Sequence, residues 1–176
     1  QVLAALAMFI TLLVMGPTWK QVYQDGIVPY SEGQVSLADA FEKGKKPLVS
    51  FMGRQIDRAG NTEDVWLFYR HLPAESLSAS GTSEVPLPQS YDEVPIQVLM
   101  PAFLLSELKT AFLIGFQIYL PFLILDLIVA TVTTSMGMLM LPPTLLSLPF
   151  KLMLFVLVDG WRLIVGMLLD GFSMAA

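Results

Sequence analysis

Forty consecutive residues, 111–150, carry a single charge, Asp126. A helix needs about 20 apolar residues to cross a bilayer, so this stretch is long enough to cross twice. Lipid offers no partners to backbone N–H and C=O groups, which makes helices the default for such a segment. The spacing predicts a helical hairpin that turns near Pro142-Pro143. The segment that follows, 152–169, is also apolar, but Asp159 and Arg162 interrupt it and make it a poor lone span.

Composition agrees with a membrane chain. Hydrophobic residues are 55% and charged residues 14%, against about 25% charged in soluble domains. The average hides a division. Residues 16–97 hold 18 of the 25 charges, seven basic and eleven acidic, so a polar segment lies between two apolar regions. The net charge of −5 comes mostly from that segment, and no basic run points to nucleic acid. With no cysteine, disulfides and thiolate metal sites are excluded; the single histidine, His71, leaves little for zinc or for a Ser-His-Asp triad. Neither a metal nor a cofactor is expected.

Residues 2–15 form an uncharged apolar run that ends at Gly16-Pro17. It lacks the basic flank and cleavage site of a signal peptide, and reads as the end of a spanning helix whose start lies outside the sequence. The chain therefore divides into 1–16, the end of that helix; 17–97, a polar helical domain; and 98–176, hydrophobic helical hairpins. Trp19 and Tyr23 suit the membrane interface. Ser36 is an N-cap candidate, with Leu37, Ala40 and Phe41 on one face of the helix it starts. Gly44 and Pro47 are expected to break that helix, with a second running from Pro47 to Arg58. A third starts at Asn61 or Thr62, with Glu63 and Asp64 in its first turn. Residues 73–95, rich in Ser, Pro, Gly and acid, read as a flexible loop.

Charges inside apolar sequence are costly and normally face protein or water with a partner. Here they are Glu107, Lys109, Asp126, Lys151, Asp159 and Arg162. Asp159 and Arg162, at i and i+3 on a helix, can pair directly. Glu107 and Lys109 point apart, and neither Lys151 nor Asp126 has an opposite charge within a turn, so their partners belong to another segment or another subunit. A proton relay would repeat acids along one face, whereas Asp126 is the only acid within 108–158. Buried pairs that fix helix register and assembly are the simpler reading.

The stretch Ser135-Met-Gly-Met-Leu-Met-Leu-Pro-Pro143 places methionines at alternate positions. On a helix Met138 would point away from Met136 and Met140; in an extended segment all three share one side. Three readings fit the spacing: packing against lipid or core, a Cu(I) site of soft thioethers, and the deformable lining of a passage.

The segments "LMPAFLLSELKTAFLIGFQIYLPFLILDLIVATV" (99–132), "MGMLMLPP" (136–143) and "LPFKLMLFVLVDGW" (148–161) resemble the FliP family, membrane components of the flagellar type III export apparatus. The opening "QVLAALAMFITLLVMGP" is similar to the helix before that family's extracytoplasmic domain. The resemblance implies a mainly α-helical, ring-forming integral membrane protein in the bacterial inner membrane and flagellar basal body, with 17–97 on the extracytoplasmic side. It implies a homopentamer assembled with FliQ and FliR, alongside FlhB and FlhA. Unfolded flagellar subunits would pass through its centre, with no enzymatic step. It further implies that Met138, Leu139 and Met140 form a gasket that narrows the channel, Leu139 standing where many members have Met. Glu107 and Lys151 would serve ring integrity, with an arginine near Arg54 or Arg58. The related virulence injectisome component is the alternative reading, and an ion-coupled transporter or enzyme of another kind is the other function class.

Overall fold

The computed structural model describes residues 1–72, 90–137 and 142–172. Every regular element among them is helical: α1 (Val2–Val22), a π turn (Tyr23–Ile27), α2 (Val28–Ser31), α3 (Leu37–Arg58), α4 (Thr62–Tyr69), a 3-10 turn (Tyr91–Glu93), α5 (Ile96–Ser135), α6 (Pro143–Leu157) and α7 (Gly160–Phe172). Two helical segments, Val2–Ser31 and Ile96–Ser135, are long and apolar enough to cross a membrane, and the bent pair α6–α7 could form a third crossing. Contacts group the chain into two units, Gln1–Thr110 and Ala111–Ala176.

In the first unit, α1, the π turn and α2 form one helical run. It does not end at Gly16-Pro17 as the sequence suggests; α1 passes through Pro17 to Val22. The π turn ends two residues before Pro29, whose ring would crowd the carbonyl four residues back and has no N–H to offer it. The wider turn takes up that mismatch and leaves Gly26 buried against α3. A Cβ on Gly26 would lie 3.0 Å from the Ala40 carbonyl oxygen and 3.2 Å from the Gly44 Cα, so the helices approach to backbone contact.

Ser36 caps α3 as expected: its hydroxyl accepts the Asp39 N–H at 3.2 Å. The predicted break at Gly44 and Pro47 is absent, and α3 runs unbroken to Arg58. Its residues on both sides of Pro47 are held by tertiary packing, which overrides the local cost of the proline. Ala40 and Gly44 are buried on one side, with Gly26 directly against them. On the other side Val49, Met52 and Ile56 enter a core with Val65 and Tyr69 of α4 and Val98, Leu99 and Ala102 of α5. Ile56 and Leu99 are fully enclosed, each contributing about 1.5–3 kcal/mol by removal from water. Phe51 and Phe103 meet edge-on across the rim.

The second unit is built differently. No large apolar side chain is buried among its described residues; the buried ones are Thr133, Ser147 and Gly160. Phe112, Leu127, Leu145, Val156 and Leu157 all face outward. That inversion suits a surface meant for lipid or other subunits. Near the end of α5, the hydroxyls of Thr131, Thr133, Thr134 and Ser135 each bond to a carbonyl one turn back, at 2.7–2.9 Å, so they need no outside partner. Pro143 opens α6 at a position where its missing N–H costs nothing.

Candidate functional site

Two polar clasps hold charged residues in otherwise apolar surroundings. The first joins α4 to the start of α5. Lys109 Nζ lies 2.5 Å from Asp64 Oδ1, and one turn away Asn61 Nδ2 donates to Ser106 Oγ at 3.0 Å. Asn61 stands at the N-cap of α4 without capping through its side chain, which is committed to Ser106 instead. Asp64 is almost fully buried, and its Oδ2 has no hydrogen-bond partner among the described residues. Glu107, two residues from Lys109, is half-buried and has no ion-pair partner among them.

The second clasp lies inside the α5–α6 hairpin. Lys151 Nζ sits 2.6 Å from Asp126 Oδ2, and Ser147 Oγ donates to Asp126 Oδ1 at 2.6 Å. Ser147 and Lys151 stand one turn apart on α6 and converge on one carboxylate. Both carboxylate oxygens are thus engaged, which is what an ion pair in low-dielectric surroundings requires. The partners that the sequence could not assign to Asp126 and Lys151 are each other.

Asp159 and Arg162 form no ion pair. The i, i+3 argument assumed one continuous helix, but α6 ends at Leu157 and Asp159 adopts the left-handed conformation, φ 49°. α7 then starts at Gly160, with a 60° bend between the two. Both charges are exposed. The corner is packed by Phe155, whose ring lies against Gly160 and edge-on to Trp161 at 5.4 Å. Arg54 bonds to Ser50 Oγ at 2.6 Å, and Arg58 closes α3; both are exposed. Met138, Leu139 and Met140 lie outside the described residues. Just before them, Met136 is exposed and Gly137 turns through φ 75°.

Sequence reasoning missed Asp64, Asn61, Ser106 and Ser147. Asp64 was legible only as a first-turn acid, because its partner is 45 residues away. The i, i+4 pair Ser147–Lys151 was the one local signal available for the second clasp.

The sequence model of the FliP family matches residues 1–168. The chain belongs to the FliP family. It is similar to the flagellar biosynthetic protein FliP of Caulobacter vibrioides, 47% identical over 99% of this chain and 60% of the relative. The FliP of Pectobacterium carotovorum is 46% identical over 98% of the chain and 61% of the relative, and that of Bacillus subtilis 42% over 98% and 71%. This FliP-family chain spans about three fifths of the length of the first two.

Proposed function

We propose that the chain is the FliP component of the flagellar type III export gate in the bacterial inner membrane. It would assemble as a homopentamer with FliQ and FliR, next to FlhB and FlhA, around a passage for unfolded flagellar subunits, with 17–97 on the extracytoplasmic side. Met138, Leu139 and Met140 would close that passage as a compliant apolar seal. Glu107, without an ion partner among the described residues, would find one in the ring, and Arg54 or Arg58 of a neighbouring subunit is a candidate. Asp159 and Arg162, exposed and apart, are further candidates for contacts between subunits. No catalytic step is assigned to any residue.

The observation that carries this reading is the family match over residues 1–168, with relatives that bear the name flagellar biosynthetic protein. The outward-facing apolar side chains among the described residues of 111–172 support a chain completed by lipid and partners.

The test is a graft. Residues 1–172 replace the matching segment of the Caulobacter vibrioides relative in a strain that lacks its own copy. Flagellin export and motility should return. A graft that accumulates in the membrane and assembles, yet exports nothing, would overturn the reading.

A further inference from the structure

α6 and α7 meet at a corner of 60°. Very little backbone separates them. The hydrogen-bond ladder of α6 reaches the Val158 N–H, which donates to the Leu154 carbonyl at 3.0 Å. That of α7 opens with the Leu163 N–H, which donates to the Asp159 carbonyl at 3.1 Å. Between them Asp159 takes a positive φ, 49°. Aspartate tolerates that conformation better than most residues, but a side chain held there still carries strain. No proline lies between positions 150 and 172, so Gly160 is the only residue at the corner that disfavours a continuous helix.

Packing holds the bend. The Phe155 ring occupies the place where a Cβ on Gly160 would stand. Its centre lies 5.4 Å from that of Trp161 and 6.4 Å from that of Phe122 on α5. The bend also has an electrostatic cost. Asp159 and Arg162 are exposed within an apolar segment, with no ion-pair partner among the described residues, and lone charges are expensive there. On a continuous helix the same two residues stand at i and i+3 and can pair.

We propose that this corner is a hinge with a second, straight state, in which α6 and α7 join into one helix latched by an Asp159–Arg162 ion pair. The two states exchange one set of contacts for another. In the bent state Phe155 is packed and Asp159 is strained. In the straight state Asp159 relaxes, the two charges meet and Phe155 leaves its seat on Gly160. α6 has 15 residues and α7 has 13, so neither alone supplies the roughly 20 that cross a bilayer, whereas the joined helix does. Lipid favours the straight state because it penalises unpaired charge. The proposal concerns these two helices alone and does not depend on export.

The experiment is double electron–electron resonance on the full chain in lipid nanodiscs. The chain has no cysteine, so Leu145→Cys on α6 and Leu168→Cys on α7 take the only two spin labels. By helical rise, these positions are about 30 Å apart at the 60° bend and about 34 Å apart when straight. Both distances should be populated. Arg162→Gln should shift the population toward the shorter one. Asp159→Gly should do the same, because it removes the strain together with the charge. Gly160→Ala should shift the population toward the longer distance, since its methyl group has no room beside Phe155. Helical circular dichroism reports that each variant is folded. A single shorter distance that no variant alters would overturn the proposal, because the corner would then be fixed. So would a longer population indifferent to Arg162→Gln, because the pair would then not be the latch.

Discussion

Asp126 and Lys151 show how much one residue depends on its partner. Together with Ser147 they satisfy both carboxylate oxygens within the hairpin. Removing one member leaves the other's charge without its partner, whereas replacing both with apolar residues of similar volume is often neutral. Lys151→Met should therefore lower the melting temperature of the chain in detergent. Asp126→Leu combined with Lys151→Met should recover most of that loss, as a thermal-unfolding double-mutant cycle would read. A double variant as unstable as the single would show that the pair does not act as a unit. The sequence marked both residues as expensive and in need of partners. It could not pair them, because the hairpin register that brings positions 126 and 151 together depends on the whole helix-to-helix contact. Tyr91 carries a different kind of linkage. Its hydroxyl bonds to Asp57, and its ring lies against Gly53. Burial first, and then the Asp57 carboxylate, hold its pKa above the ordinary value near 10. The protonated phenol is the form the fold prefers, so its stabilisation is complete below about pH 10 and is lost as pH rises beyond it. Melting temperature should fall above about pH 10 in the parent chain, and the fall should be shallower in Tyr91→Phe.

At the scale of elements, the helical periodicity was readable and the helix ends were not. Ser36 announced the start of α3 by its capping chemistry, and the structure uses it. Pro17, Gly44 and Pro47 looked like breakers, yet each lies inside a helix or helical run. The reason at α3 is tertiary: Gly44 is small because α1 and the π turn pack there, so a residue that reads locally as a stop is a contact. Gly16 and Gly26 separate the two roles. A Cβ on Gly26 would meet the Ala40 carbonyl at 3.0 Å, and backbone cannot give way as a side chain can. Gly26→Ala should therefore push the helices apart and cost about 1–3 kcal/mol. Nothing lies within 4 Å of the same atom on Gly16, so Gly16→Ala should be neutral or stabilise by up to about 1 kcal/mol through helix propensity. Thermal melts of the two variants in the same detergent test the contrast, and equal shifts would show that the crossing at Gly26 is not tight.

For the whole molecule, one chain displays a surface that it cannot cover. The first unit encloses a conventional core around Ile56 and Leu99. The described part of the second buries hydroxyls and one glycine and turns its apolar side chains outward. The sequence revealed that the chain is helical and membrane-bound, because forty residues with one charge leave few other solutions. It could not reveal which apolar faces meet lipid and which meet other subunits, since both environments select the same side chains. In the proposed export gate, the methionine segment is where that distinction would have a functional consequence. It joins α5 to α6, and in a ring the joining segments of all copies are related by the same symmetry axis. Apolar side chains converging on an axis exclude water and ions, and thioethers can yield to a passing chain and close again behind it. Serine at both Met138 and Met140 would keep the side chains small while letting water enter. In the grafted relative, the resting gate carrying both substitutions should then conduct ions severalfold more than the unsubstituted gate in planar-bilayer recordings, with ring assembly on native gels unchanged. A resting conductance that stays at the unsubstituted level would remove these residues from the seal, because a polar pair there could not keep an apolar constriction dry.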